Sequence, residues 1–497
     1  MIRFLCVFLF CSGLSISART QDKYVSGPDW HKTYDVKFYF LNLDVNDTST
    51  YIKGNTVVKV EIKEQTDSLV FDFNPSLIID SVFVNSEKNA SYEFQSELLV
   101  ITLQNKMPVS SFQEVIIYYH GNVSTNVFFS SFTNEYESNW KIPVTWTLSE
   151  PFGARYWFPC KQQLTDKADS CWVFLTIPKG RKAGSIGLLT DTVNINEKQV
   201  QYRWKSKYPI AYYLISFTVA DYKDYSYYIK IPGRTDSLLF QNYVYNRPGY
   251  LEIYKPEIDK TADFLILFSK LFGLYPFYEE KYGHCVAPIG GGMEHQTMTT
   301  LYNYSYTLVS HELAHQWFGD HTTCSTWQDI WINEGFASYC EYIAYENLGT
   351  KSEAESWMQN AQTRALREAE GSVFVPFTSA NDEYRLFSSN LSYKKGAVIL
   401  HMLRNEINDD SVFFSGIRKF LNIYRYTNAT GDDFKNVMEI ESGINFDAFF
   451  NQWYYGKGFP QFDISWKPLG DSIVLNISQT PSSKTVNFFQ TSIDIKA

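Results

Sequence analysis

Residues from about Tyr34 to Tyr225 alternate apolar and polar positions with the two-residue period of half-buried strands. YIKGNTVVKVEIKEQ (Tyr51 to Gln65) shows it most clearly; ELLVITL and EVIIYYH repeat it, with turn residues between. YYLISFTVADY (Tyr212 to Tyr222) reads as a closing strand pair. This predicts an antiparallel β domain over residues 24–228. After Pro232 the apolar spacing turns helical. EIYKPEIDKTADFLILFSKLFG (Glu252 to Gly273) predicts a helix ended by a glycine. HCVAPI predicts a short strand leading into Gly290, Gly291 and Gly292. Helical segments follow over Ser305 to Phe318, Asn333 to Leu348, Lys351 to Gly371 and Ser392 to Ile407. Residues 229–457 are therefore expected to form a mainly helical domain. From Phe459 onward strands return (FDISWKPLGDSIVLNIS), as the start of a small C-terminal β module over residues 458–497. The expected fold is multidomain α+β.

Length agrees, since 497 residues exceed what one hydrophobic core usually organises. The net charge of −10 argues against a broad phosphate-binding surface, so no nucleic-acid partner is expected. Arg3, the apolar run Phe4 to Leu14 and the small residues Ser15, Ser17 and Ala18 read as a signal peptide over residues 1–18. Export to a periplasmic or extracellular compartment follows, with no stable membrane insertion after cleavage, because no other stretch is long and apolar enough to span a bilayer. Beyond that segment remain Cys160, Cys171, Cys285, Cys324 and Cys340. An odd, widely spaced set is no disulfide framework, though one bond is possible, and without a CxxC pair zinc ligation by cysteine is not expected.

The chemistry is concentrated in HELAH, His311 to His315. Residues four apart on a helix share a face about 6 Å apart along the axis, so both imidazoles can reach one zinc ion. Glu312 then stands beside the metal and can take a proton from the water that it polarises. Glu334, in WINEGFASY with 18 residues between it and His315, is the candidate third ligand. Two histidines and one carboxylate leave a fourth position open, as catalysis needs and a structural site does not. His284, His321 and His401 read as packing or surface groups. Asp329 and Glu341 flank the site and are candidates for orienting a ligand imidazole.

HELAH, the 18-residue gap and Glu334 within NEGFA together resemble the gluzincin aminopeptidases of the M1 type. GGGMEH (Gly290 to His295) resembles their GxMEN exopeptidase motif, SYKKGA (Ser392 to Ala397) their YxKGA segment, and EPFGARYWFPC (Glu150 to Cys160) the N-domain motif leading into FPC. The resemblance implies a saddle-like β N-domain, a thermolysin-like catalytic domain and then a small β sandwich. It implies one zinc per chain, with Glu312 as general base and Tyr393 as donor to the developing oxyanion. It also implies that Glu294 and Glu150 hold the substrate's free α-amine, so the partners are peptides with a free N-terminus. Gly291 and Gly292 would let the backbone run close along the substrate, and Met293 would line the pocket for its first residue. One departure is His295, where the family usually has Asn. An epoxide hydrolase of the same family, or a catalytically silent binding protein on this fold, are the rival readings.

Overall fold

The computed structural model describes residues 27–89, 91–123, 129 and 131–493. The expected signal peptide at residues 1–18 lies outside the described residues.

The alternating N-terminal segments pair into an eight-stranded sheet. Tyr34–Asp44 lies inside it, antiparallel to Tyr51–Ile62 and parallel to Ser170–Pro178. That one parallel pairing is the exception in an otherwise antiparallel sheet. Val36, Tyr39, Leu41 and Leu43 are fully buried, as are Val58 and Val60 on the neighbouring strand, so the two-residue period marks the core face. A four-stranded sheet contains Ser131–Glu137, Ile142–Leu148, Lys182–Ser185 and Phe217–Ala220. The expected strand pair at Tyr212 to Tyr222 differs. Tyr212–Leu214 is a 3-10 turn, and strands begin only at Phe217 and Tyr222. All three turn residues are buried, so every position is apolar whatever the backbone does, and alternation carries no signal.

A five-stranded sheet runs in the order Tyr222–Lys230, Ser237–Tyr245, Lys281–Val286, Thr299–Leu301, Gly292–Met293. Gly292–Met293 is its edge. The expected single helix at Glu252 to Gly273 is two, α1 (Tyr250–Asp259) and α2 (Thr261–Phe272). Pro256, which has no N–H to donate, sits inside the first. Further on come α3 (Tyr306–Ala314), α4 (Trp331–Leu348), α5 (Lys351–Arg367) and the short α6 (Glu383–Leu386). A π-helical turn, Ser389–Lys395, leads into α7 (Gly396–Ile407).

Helix α4 is buried on all sides from Trp331 to Glu341, which makes it the axle of the helical domain. It packs against α3 and α7. The last contact is close enough to need glycine on both sides: a Cβ on Gly396 would stand 3.0 Å from the Gly335 Cα, and one on Gly335 would stand 3.2 Å from the Gly396 Cα. The C-terminal β module is a hairpin, Pro460–Leu469 with Ser472–Pro481. Phe462, Ile464, Trp466, Ile473, Leu475 and Ile477 share one face, which is open to solvent. All five described cysteines are buried and unbonded, so the disulfide that the sequence left possible is not formed among them. Among the described residues no helix is long and apolar enough to cross a membrane.

Candidate active site

Helices α3 and α4 bring His311, His315 and Glu334 together. The Nε2 of His311 lies 3.1 Å from the Glu334 carboxylate and the Nε2 of His315 lies 3.4 Å from the same oxygen. Two ligands about 2.0–2.1 Å from a tetrahedral zinc stand about 3.3 Å apart, so the donor set matches that ion in separation as well as in type. The tautomers agree. The Nδ1 of His315 faces the Phe318 carbonyl at 3.0 Å, and a carbonyl can only accept, so Nδ1 keeps its proton and Nε2 is the nitrogen that would ligate a metal. The Nδ1 of His311 faces Glu341 at 2.9 Å, with the same result. Burial alone would raise the Glu334 pKa, but the two imidazoles beside it hold it down at about 2. His311 is raised to about 9 despite its burial, because Glu334 and Glu341 grip it from both sides.

Of the two flanking acids, Glu341 faces His311, and Asp329 is bonded elsewhere. Glu334 and Glu341 are seven residues apart on α4, hence on one face with His311 between their carboxylates. Glu341 also accepts from Trp357 Nε1 at 2.8 Å and from Lys394 Nζ at 3.0 Å, and the Lys394 ammonium lies over the Trp357 ring. Asp329 instead accepts from the Gly431 amide at 3.0 Å and from the Tyr454 hydroxyl, and so braces the start of α4. His284 is buried among aromatic rings. His321 packs on Tyr426 and His401 on Tyr342, so none of the three approaches the cluster.

Glu312 is buried beside the cluster, with one carboxylate oxygen that makes no hydrogen bond among the described residues. Burial raises its pKa to about 8, against the pull of the two histidines. Gly292 packs on it. A Cβ at Gly292 would stand 2.4 Å from Glu312 Oε1, whereas one at Gly291 meets nothing within 4 Å. Glycine at 292 is therefore dictated by the carboxylate behind it, and Gly291 leaves space on the cavity side. Gly292→Ala is expected to displace Glu312 by a large fraction of an ångström and to lower kcat about 100-fold. Zinc content and turnover measured on the same preparation check this; a loss of zinc in place of kcat would move Gly292 into metal support.

A second group of acids meets the first from other parts of the chain. One oxygen each from Glu150, Glu294 and Glu334 lies within 4.8 Å of the others. Glu150 follows the strand Ile142–Leu148 and is fixed by its neighbours. Trp157 Nε1 donates to Ser149 Oγ at 2.9 Å, and the Tyr212 hydroxyl donates to the Pro151 carbonyl at 2.5 Å. Glu294 sits in a loop held by Gln316, just past the two histidines. The amide of Gln316 donates to the Glu294 carbonyl at 3.1 Å and to Asp320 at 2.8 Å, and accepts from the Thr297 N–H at 2.9 Å. Thr297 has φ +67, and the buried ammonium of Lys281 bonds its carbonyl and hydroxyl. Glu150 and Glu294 each keep an oxygen with no hydrogen-bond partner among the described residues, though Nδ1 of His315 lies 4.0 Å from that of Glu294. Burial, then mutual repulsion, holds Glu150 well above the usual carboxylate range; burial also raises Glu294. The pair is short of one cation. His295 points inward, with Nδ1 2.8 Å from Thr300 Oγ1, and burial keeps it neutral by lowering its pKa to about 3. Its departure from the expected Asn leaves Glu294 facing the cavity.

These groups line one cavity of about 520 Å³, together with Met293, Leu148, Phe129, Arg364 and Tyr393. The Tyr393 ring stacks on the His311 imidazole, 5.8 Å between centroids and 8° between planes. Burial and the Glu334 carboxylate keep its hydroxyl protonated. All ten residues that the sequence reading gave a metal, catalytic or substrate role thus line the cavity. Gln316, Lys394, Trp357 and Arg364 were not singled out. Gln316 directly follows HELAH, but its role depends on a loop that only the fold brings to it.

The family model described as the Peptidase family M1 domain matches residues 292–453, and that for the Peptidase M1 N-terminal domain matches residues 31–214. The chain is 25% identical over 433 residues to endoplasmic reticulum aminopeptidase 1 from Rattus norvegicus, covering 80% of this chain and 45% of that one. It is 25% identical over 475 residues to aminopeptidase M1 from Arabidopsis thaliana, covering 88% and 52%. It spans about half the length of these curated relatives. Among solved structures, a variant of the M1 zinc metallopeptidase from Deinococcus radiodurans superposes with a TM-score of 0.76 at 21% identity, covering 86% of this chain and 96% of that one. The same protein has been solved bound to the substrate Tyr-Ser-Ala.

Proposed function

From the chain's membership of the M1 peptidase family, we propose that it is a zinc aminopeptidase that removes the first residue from peptides with a free N-terminus. The observation that carries this reading is the acid pair Glu150 and Glu294, buried beside the metal ligands, two carboxyls set against one histidine, His315, and so one cation short. A free α-amine has a pKa near ~8, so it is mostly protonated at neutral pH and supplies that cation. Zinc, when held by His311, His315 and Glu334, supplies Lewis acidity, which acidifies a water and polarises the scissile carbonyl. Glu312 takes the proton of the attacking water and passes it to the departing nitrogen. The Tyr393 hydroxyl donates to the carbonyl oxygen as charge develops there. The edge strand Gly292–Met293 offers backbone groups to an extended substrate, and Met293 lines the space for its first side chain. The N-terminal segment, read as a signal peptide, places the substrates among exported or extracellular peptides. All the named groups share one cavity, which favours an active enzyme over a silent scaffold.

Acetylating the substrate amine removes its charge and adds bulk where Glu150 and Glu294 close the cavity. Two charge-assisted contacts of roughly 1.5–3 kcal/mol each are lost, so kcat/KM is expected to fall about 10²- to 10⁴-fold. The comparison uses one peptide, free and acetylated. Internal cleavage of the blocked peptide as fast as the free one would replace the aminopeptidase with an endopeptidase.

A further inference from the structure

We infer that Arg364 forms a subsite for a carboxylate on the leaving-group side of the scissile bond. The inference rests on the aminopeptidase reading above, which fixes where the substrate amine sits.

Five carboxylates line the cavity: Glu150, Glu294, Glu312, Glu334 and Glu341. Two cationic side chains face them, and they differ. Lys394 is neutralised by Glu341 at 3.0 Å. Arg364, half-buried on α5, donates only to neutral groups, Asn390 Oδ1 at 3.2 Å and Ser389 Oγ. Glu368, one turn further along α5, is engaged by Asn390 at 2.7 Å and by Ser388 at 3.3 Å. Among the described residues Arg364 forms no ion pair. Its charge is thus left facing the cavity.

Helix α3 gives the direction. His315 lies 4.0 Å from Glu294, the amine end, whereas His311, one turn earlier, lies 2.9 Å from Glu341. The cavity wall continues past His311 along the first turn of α3, through Leu308, Thr307 and Ser305. Arg364 belongs to this end, because its partner Ser389 opens the π-helical turn whose Tyr393 stacks on His311. From His315 to Thr307 the helix rises about 12 Å. An extended peptide covers that distance in three or four residues. The third residue of a substrate, or a side chain extending from the second, therefore reaches the guanidinium. A guanidinium binds a carboxylate through two parallel N–H donors, and no neutral group in such an acid-rich cavity would tolerate a further negative charge. Two sources offer that carboxylate: the C-terminus of a short peptide, or an acidic side chain just beyond the cleaved bond.

The test measures kcat/KM for four peptides with free amines. Ala-Ala-Ala as free acid and as C-terminal amide form one arm; amidated Ala-Asp-Ala and Ala-Asn-Ala form the other. Wild type is expected to favour the carboxylate about tenfold in at least one arm, which names the source. Arg364→Lys should keep part of that preference and Arg364→Gln should abolish or reverse it. If Arg364 only braces the π-helical turn, Arg364→Gln slows all four peptides by one factor, the ratios stay put and the inference is overturned. Equal rates on all four by wild type also overturn it while leaving the aminopeptidase reading intact. Wild type that cleaves none of the four overturns both. Should Arg364→Gln not fold, the wild-type ratios and Arg364→Lys decide.

Discussion

Glu312→Gln is expected to keep its zinc and to lose nearly all turnover, by about 10²- to 10⁴-fold or more in kcat. The amide has the shape of the carboxylate, so Gly292 still packs against it and α3 is undisturbed. What disappears is the ability to accept a proton from the attacking water and hand it to the leaving nitrogen. The buried site makes the loss severe, because bulk water has little room to stand in. Since Glu312 is proposed as the base and not as a metal ligand, zinc content should stay at one per chain. The check is kcat and bound zinc on the same sample. Near-normal turnover in that variant would overturn the assignment of the base.

Glu334→Ala acts on the other half of the chemistry and is expected to weaken zinc binding by more than the 10- to 100-fold that loss of an outer partner usually costs. It removes the sole anionic donor and leaves two neutral imidazoles. It also removes the carboxylate that both Nε2 atoms face, at 3.1 and 3.4 Å, so the two rings are then held only through their Nδ1 partners, Glu341 and Phe318. Competition with a chelator gives the affinity. Full occupancy under conditions that leave wild type loaded, with unchanged resistance to the chelator, would remove Glu334 from the ligand set.

The metal centre was legible because its rules are local. The histidines share a helix face at a spacing that the sequence displays, and Glu334 opens the next long helix. Glu150 was different. Nothing around it announces a role, and only the likeness of EPFGARYWFPC to a known motif pointed to it, since it is folding that carries it from one domain to the acids of another. The partners of the ligands were harder still. Glu341 and Asp329 were equivalent candidates by position, and the packing of α4 against α3 separated them by turning one toward His311 and the other toward Tyr454. Gln316 and Lys394 adjoin motif residues, and Trp357 and Arg364 lie apart from them, but all four meet partners that only the fold brings near, so residue type and spacing say little of them. In the fold, strands with one wet face were readable. Tyr212–Leu214 was not, because it is buried on every side and its aromatic residues suit a strand as well as a turn.

The contact between Gly335 and Gly396 sets how the site can fail. The first glycine follows the metal-binding carboxylate directly, and the second comes three residues after the tyrosine. With backbone touching backbone, neither segment has a side chain to compress, so a shift in one is passed to the other undiminished. The proposed metal anchor, Glu334, and the proposed oxyanion donor, Tyr393, therefore have one alignment between them. A methyl group added at either glycine, well away from any substrate atom, would disturb both together. Such a lesion would register in metal retention and in turnover alike, unlike the separable defects at Glu312 and Glu334.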